Sequence, residues 1–329
     1  MTAQQELDLR SALAERLATR TMLEGHDGRS GARLERVCLA DGTRLIVKST
    51  RPSADLGMVV SGDRDGRELR LWRSGHLGKL PPGVGHAVLD GWQEDHGLIV
   101  TVMRDLGSRV ISWDRRLARV DCRRILGAAA SLHRHFAGRS PGALCPLETY
   151  LTILAPATAA SLANGPNPLP VTILRGWQRA AELLPGDVMA ALDDTFADPG
   201  PLARALRAEG TTWVHGDLWP VNIALEPHRV TFLDWGLGVD GPPALDLATF
   251  VAGGWSISEA SREQLIEEFR RAGGVAGAAV LARSLFAVFA MYGWNKALDA
   301  AEHPDPVVRH RERADLAWWV DRARGALEA

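Results

Sequence analysis

Asp217 and Asn222 stand five residues apart in the stretch WVHGDLWPVNIAL, and Asp234 follows seventeen residues after Asp217 at the end of the run VTFLD. Apolar residues flank these positions, so the polar side chains interrupt what is otherwise buried-looking chain. Asp217 and Asn222 share one loop, and a hairpin between that loop and VTFLD folds the second carboxylate back beside the first. The result is one oxygen-rich pocket. Small hard cations such as Mg²⁺ take carboxylate and amide oxygens and keep phosphate oxygens as their other ligands. A carboxylate left free of metal can accept a proton from an attacking hydroxyl. Phosphoryl transfer asks for this division of labour: positioning, neutralisation of charge, and a base that orients the nucleophile. Asp or Asn alone is a common turn former, because each bonds to nearby backbone. The chemical reading rests on their occurring together with His215 and Gly216, where His215 is expected to brace the loop through hydrogen bonds.

The elements that must position this pocket are legible in outline. Leu9, Leu13 and Leu17 share one face of a helix expected from about Gln5 to Ala18. Two β-favouring runs, Leu34 to Leu39 and Thr43 to Lys48, meet at Ala40-Asp41-Gly42, a hairpin signal. A glycine-rich loop, GHDGRSG, precedes them. A short helix is expected from Arg67 to just before Gly75, then strands over Val84 to Leu89 and Leu98 to Met103. Beyond these the chain turns helical. Cys122, Ile125, Leu126, Ala129, Leu132 and Phe136 trace an amphipathic stripe. Residues 137–210 read as an insertion rich in Ala, Leu and Pro. Ser256 with Glu259 suggests a capping box, and Gly273-Gly274 a helix stop.

HGDLWPVN followed by FLDWG resembles the catalytic and metal loops of the kinase-like small-molecule phosphotransferases, the group that contains aminoglycoside phosphotransferases, choline kinases and fructosamine kinases. Gly216 stands where protein kinases usually carry Arg, which favours the small-molecule branch. The resemblance implies an α/β (α+β) bilobal protein-kinase-like fold, with a β-rich nucleotide-binding lobe over residues 1–105 and a larger, mostly helical catalytic and substrate-binding lobe over 106–329. It implies Asp217 as the catalytic base, and Asn222 and Asp234 as ligands of Mg²⁺. Lys48 in LIVK would hold the phosphates of ATP or GTP, and Glu68 would be its ion-pair partner. Met103 and Arg104 in MRDLG would meet the nucleobase through main-chain groups. Asp246 in GPPALDLATF would brace the catalytic loop. The glycines at 25, 28 and 31 form G-x-x-G-x-x-G, not the protein-kinase spacing, and Ser30 would contribute to the phosphate cover there. A P-loop kinase is excluded because G-x-x-x-x-G-K-[ST] is missing from the chain.

Bulk properties narrow the partners. A net charge of -2 points to no nucleic acid or membrane surface, and no run of about eighteen apolar residues suggests a membrane span. The start does not read as a signal peptide, and Cys38, Cys122 and Cys145 are odd in number and far apart, so a reduced cytoplasmic protein is expected. His133 and His135 point to different faces of one helix, so no metal site is expected there. Glu259, Glu263 and Glu267 most simply form a solvated face, and the tryptophans are mainly core. The expected partner is a small-molecule hydroxyl acceptor, with an antibiotic as the leading reading from the resemblance. A sugar, amino-sugar or amino-alcohol kinase is the alternative, and a catalytically silent nucleotide-binding regulator is the second. Oligomeric state is not encoded in any pattern read here.

Overall fold

The computed structural model describes residues 3–15, 17–23, 31–165 and 167–328. Its first part is built on a five-stranded antiparallel sheet. In chain order come α1 (Ala3–Glu15), β1 (Leu17–Met22), β2 (Arg33–Leu39), β3 (Arg44–Thr50), α2 (Leu56–Ser61), α3 (Arg67–Arg73), β4 (Val84–Gly85), β5 (Val88–Gln93) and β6 (Ile99–Arg104). The sheet order is β1-β2-β3-β6-β5, and β4 leaves it to pair with a later strand. Side chains alternate along a strand, so each strand offers one face to each neighbour layer. Val37, Leu39, Leu45, Val47, Val100 and Val102 form a small core with Ala12 of α1. Lys48 and its register partner Thr101 therefore face the other way, toward the helical part, and both line the cleft there.

The helical part begins with α4 (Arg119–Phe136), whose expected stripe is buried as read. Residues 137–210 contribute α5 (Leu147–Thr152), α6 (Pro156–Leu162), α7 (Leu169–Leu183), α8 (Gly186–Ala197) and α9 (Gly200–Arg207). Short strands follow: β7 (Thr212–Val214), β8 (Ile223–Leu225), β9 (Val230–Phe232) and β10 (Val239–Gly241). β8 and β9 form the antiparallel hairpin that the carboxylate spacing required, and β10 pairs with β7. The chain closes with α10 (Ala244–Gly254), α11 (Arg262–Arg271), α12 (Ala278–Glu302) and α13 (Pro306–Leu327). α12 is apolar nearly all round because α13, α7 and α10 pack against it. No helix among the described residues is long and apolar enough to cross a membrane.

Three local expectations are corrected. The first helix ends at Glu15, and Leu17 opens β1 instead of completing the helical stripe; it pairs with Leu39, and the Thr-containing run LATRTM takes the edge of the sheet. The run from Val84 to Leu89 divides into β4 and β5, since Val84 pairs with Val230 while Val88 pairs with Met103. The capping box lies at Ser261 and Gln264, whereas the Ser256 hydroxyl donates to Gly253 O at 2.9 Å within a short turn. The stop after α11 is as read: Gly273 is left-handed at φ 79°, and the Gly274 N–H returns to Phe269 O at 2.9 Å.

Candidate active site

β7 delivers His215, Gly216 and Asp217 to the end of a buried strand, and a tight turn over Pro220–Asn222 carries Asn222 back to β8. Asp246, in the first turn of α10, is fully buried, and its carboxylate accepts the main-chain N–H groups of His215 at 2.8 Å and Gly216 at 2.9 Å. His133 Nε2 lies 2.8 Å from the same carboxylate, so this helical histidine acts as a brace. Burial and these contacts leave Asp246 below its ordinary value, because the bonds from His133 outweigh the cost of desolvation.

The His215 ring ties the loop to the hairpin. Nε2 donates to Leu233 O at 2.9 Å, and Nδ1 accepts from the Asp217 N–H at 3.3 Å. Burial lowers the pKa of the ring, which fits a neutral imidazole with one donor and one acceptor nitrogen. Gly216 sits at φ 79°, and a Cβ there would lie 2.2 Å from Leu237 O, so no larger residue fits at this step. Its carbonyl accepts the Tyr150 hydroxyl at 2.8 Å.

The polar groups meet in one place. Asn222 Nδ2 donates to Asp217 Oδ2 at 2.8 Å and to Asp217 O at 2.9 Å, which leaves the amide oxygen as the end available to a cation. Asp234 is the one non-glycine residue with positive φ among the described residues, at 59°, a strained conformation that turns its carboxylate out of the hairpin. Lys48 Nζ lies 2.8 Å from Asp234 Oδ1 and 3.9 Å from Glu68 Oε2. Glu68 also accepts the Trp235 N–H at 3.3 Å. Lys48, Glu68, Asp217 and Asp234 thus line a single cleft.

Electrostatics in this cleft are unequal. Burial would lower the Lys48 ammonium, but Asp234 and Glu68 outweigh it and hold the group above its ordinary value. Burial raises Glu68, only partly offset by Lys48. Burial also works against Asp234, but Lys48 wins and keeps that carboxyl low. Asp217 has no cation in contact; burial, then the charge of Asp234, pushes it up to about 7.

The side chains of two expected residues at the end of β6 have other partners: Met103 packs in the main core, and the Arg104 guanidinium binds Glu226 at 2.9 and 3.2 Å and His86 O at 3.0 Å. Ser30, Gly25 and Gly28 lie outside the described residues. The residue reading missed Arg67, a buried guanidinium that bonds to Gly236 O and Ala143 O and so braces the segment after Asp234. It also missed Tyr292, whose hydroxyl donates to Asp217 Oδ1 at 2.8 Å. Composition held a signal for the second: the chain has two tyrosines, and both hydroxyls end on this loop.

Comparison with known proteins follows the same lines. No curated protein matches the chain in sequence. The macrolide 2'-phosphotransferase of Brachybacterium faecium shares the fold at 18% identity and a TM-score of 0.52, covering 95% of this chain and 98% of that one. The choline kinase of Streptococcus pneumoniae does so at 12% identity and a TM-score of 0.56, with 97% and 99% covered. A spectinomycin phosphotransferase in complex with ADP and spectinomycin gives 12% identity and a TM-score of 0.54, with 100% and 99% covered. The model of the phosphotransferase enzyme family matches residues 38–284, so the chain belongs to that family and is a small-molecule phosphotransferase.

Proposed function

We propose that the chain moves the γ-phosphoryl group of ATP or GTP to a hydroxyl of a small molecule with the help of Mg²⁺, and that the acceptor is an antibiotic. The observation that carries this reading is the meeting of Asp217, Asp234 and Lys48 at one cleft, with Asn222 bonded to Asp217. Asp217 is the base: its raised proton affinity matches the task of taking a proton from an alcohol near neutral pH. Lys48, steadied by Glu68, holds the phosphates. The end of β6, at Met103 and Arg104, meets the nucleobase through main chain, and residues 1–105 form the nucleotide lobe against 106–329.

The donor set suits a hard cation. No cluster of three or more His, Cys, Asp or Glu placed to hold a metal occurs among the described residues. Mg²⁺ needs none, since it is commonly bound by one or two carboxylates plus substrate phosphates. Asp234 and Asn222 are the residues that would hold it. When bound, the ion supplies neutralisation of the phosphate charge; Lys48 adds its own, and Asp217 orients the acceptor.

For the acceptor, the cleft wall gives a lead. Ile153, Leu154, Leu169, Leu237 and Met291 line it beside the carboxylates. Apolar surface of this kind suits an acceptor with a substantial hydrocarbon body, as a macrolide antibiotic has, over a small polar sugar. The name of the macrolide phosphotransferase is consistent with that reading.

The test is Mg²⁺-dependent consumption of ATP and GTP, measured separately against pooled hydroxyl-bearing antibiotics and pooled sugars and amino alcohols. Stimulation by the antibiotic pool, lost in Asp217→Asn, is the expected result. Stimulation by the second pool alone would replace the antibiotic with a metabolite.

A further inference from the structure

The proposed base is not open. Asp217 Oδ2 accepts from Asn222, and Oδ1 accepts from the hydroxyl of Tyr292, each at 2.8 Å. A base must receive a hydrogen bond from the hydroxyl it will deprotonate; each carboxylate oxygen keeps a second lone pair, but a donor already packs against both, so the acceptor enters most readily where one of these donors gives way. Oδ2 is the poorer candidate. The same Asn222 amide that holds it also grips Asp217 O at 2.9 Å, and letting it go would loosen the loop itself. Oδ1 remains, and a hydroxyl carried by the chain already occupies it.

Tyr292 is held there by packing as well as by the hydrogen bond. It projects from α12, its ring edge-on to Trp219 at 4.8 Å, and Trp219 in turn meets Trp113 at 6.3 Å. Trp113 is 37% exposed, so this row of rings runs from solvent to the base. A phenol at the inner end of such a row stands on an approach to Asp217.

We propose that Tyr292 is a positioning residue that keeps the acceptor seat at Asp217 closed: its hydroxyl stands where the acceptor hydroxyl must stand, and an acceptor binds by displacing it. This rests on the phosphotransferase reading above. The physical gain is exclusion of water. A water molecule on Oδ1 would be oriented as an acceptor is, with its oxygen bonding to the γ-phosphorus, the bridging oxygen leaving with the nucleoside diphosphate, and its proton passing to Asp217. Nucleotide would then be hydrolysed with nothing phosphorylated. The phenol offers the base a donor whose oxygen is tethered to a packed helix.

Tyr292→Phe removes the hydroxyl and keeps the ring against Trp219. With full-length protein, Mg²⁺ and nucleotide, acceptor-independent hydrolysis should rise about tenfold, and the KM for the acceptor should fall by about the same factor, the size of one hydrogen bond to a charged group. The change in kcat should be smaller than the change in KM. A merely structural residue would instead lower thermal stability and scale hydrolysis and transfer together. An unchanged ratio of hydrolysis to transfer in an active enzyme would overturn the role of Tyr292 and leave the phosphotransferase reading standing. Phosphate found covalently on Tyr292 of the wild type would also overturn it, because the phenol would then be an acceptor and not a cap. Wild type and variant that are both inert toward nucleotide with every acceptor would remove the inference together with the reading on which it rests.

Discussion

Two buried ionic clusters in this protein differ in how their charges balance. Between α11, α12 and α13, Lys296 Nζ lies 2.8 Å from Glu312 and 2.7 Å from Asp315, and Arg262 pairs with Asp315. The Arg262 guanidinium is also sandwiched by Trp255 and Trp318, 3.9 Å from each ring centroid. Arg311 also pairs with Glu312 at 3.0 Å, so both carboxylates there are fully matched by cations, and the aromatic faces add to the enclosure. At the cleft a single ammonium, Lys48, meets Glu68 and Asp234, with Asp217 beside them and in contact with no cation. A cluster in which every carboxylate has its cations is complete in itself. One with surplus carboxylate binds protons more tightly, as Asp217 does, and favours a further cation. The Asp234 side chain is 44% exposed, so this surplus charge is open to solvent.

The largest effect that can break this comparison is catalytic. Asp217→Asn is expected to lower transfer by about 10²- to 10⁴-fold with little change in nucleotide affinity, the range for a positioned base. Steady-state rates paired with a nucleotide-binding isotherm check it. Wild-type rates in the variant would take Asp217 out of the chemistry and leave its raised pKa without a purpose.

The same Asp-to-Asn exchange in the fully paired cluster should act on the fold. Asp315→Asn takes from Arg262 its ion-pair partner and leaves Lys296 with Glu312 in a buried site, and removing one partner of a buried pair costs about 3–5 kcal/mol. Chemical denaturation measures the loss. A cost below about 1 kcal/mol would mean that water reaches this cluster and that it is no more than a surface network.

How much of this was legible beforehand follows from the range of each interaction. The loop residues Asp217, Asn222 and Asp234 share a short stretch of chain, and the hairpin that unites them is local, so their meeting could be read from spacing. Lys48 and Glu68 reach the same cleft through strand alternation and one short helix. Arg67 and Tyr292 could not be found this way. Arg67 finds Gly236 across 169 positions, and Tyr292 finds Asp217 across 75, with no periodicity linking either pair. Leu17 shows the opposite failure: a helical spacing was present, but pairing along β2 outweighed it.

A third prediction concerns the proposed Mg²⁺. Nucleotide with Mg²⁺ at about a hundredfold above its dissociation constant should stabilise the wild type by about 2.7 kcal/mol through mass action. In Asp234→Asn the part of the thermal shift that depends on Mg²⁺ should disappear, while a shift from nucleotide alone persists. An equal Mg²⁺-dependent shift in both proteins would mean that Asp234 is not a ligand and that the surplus charge serves something else.

The smallest effect sharpens the comparison by its sign. The Asp217 carboxyl has a higher pKa in the folded protein, about 7, than the ordinary 3.8, so between these values the folded state binds more protons than the unfolded one. Stability contributed by this group is therefore fully present below about pH 4 and is lost as pH rises toward 7. Above that, the folded protein carries a buried charge that it would rather not hold. Asp217→Asn removes the titration, so the ligand-free variant should melt above the wild type at pH 8, with the difference shrinking at pH 5. Asp315→Asn should melt below the wild type at both. Opposite signs for one chemical change would distinguish a cluster built to receive charge from one built to cancel it. If Asp217→Asn melts lower at pH 8 as well, its hydrogen bonds to Tyr292 and Asn222 outweigh the buried charge, and both clusters are structural in the ligand-free protein.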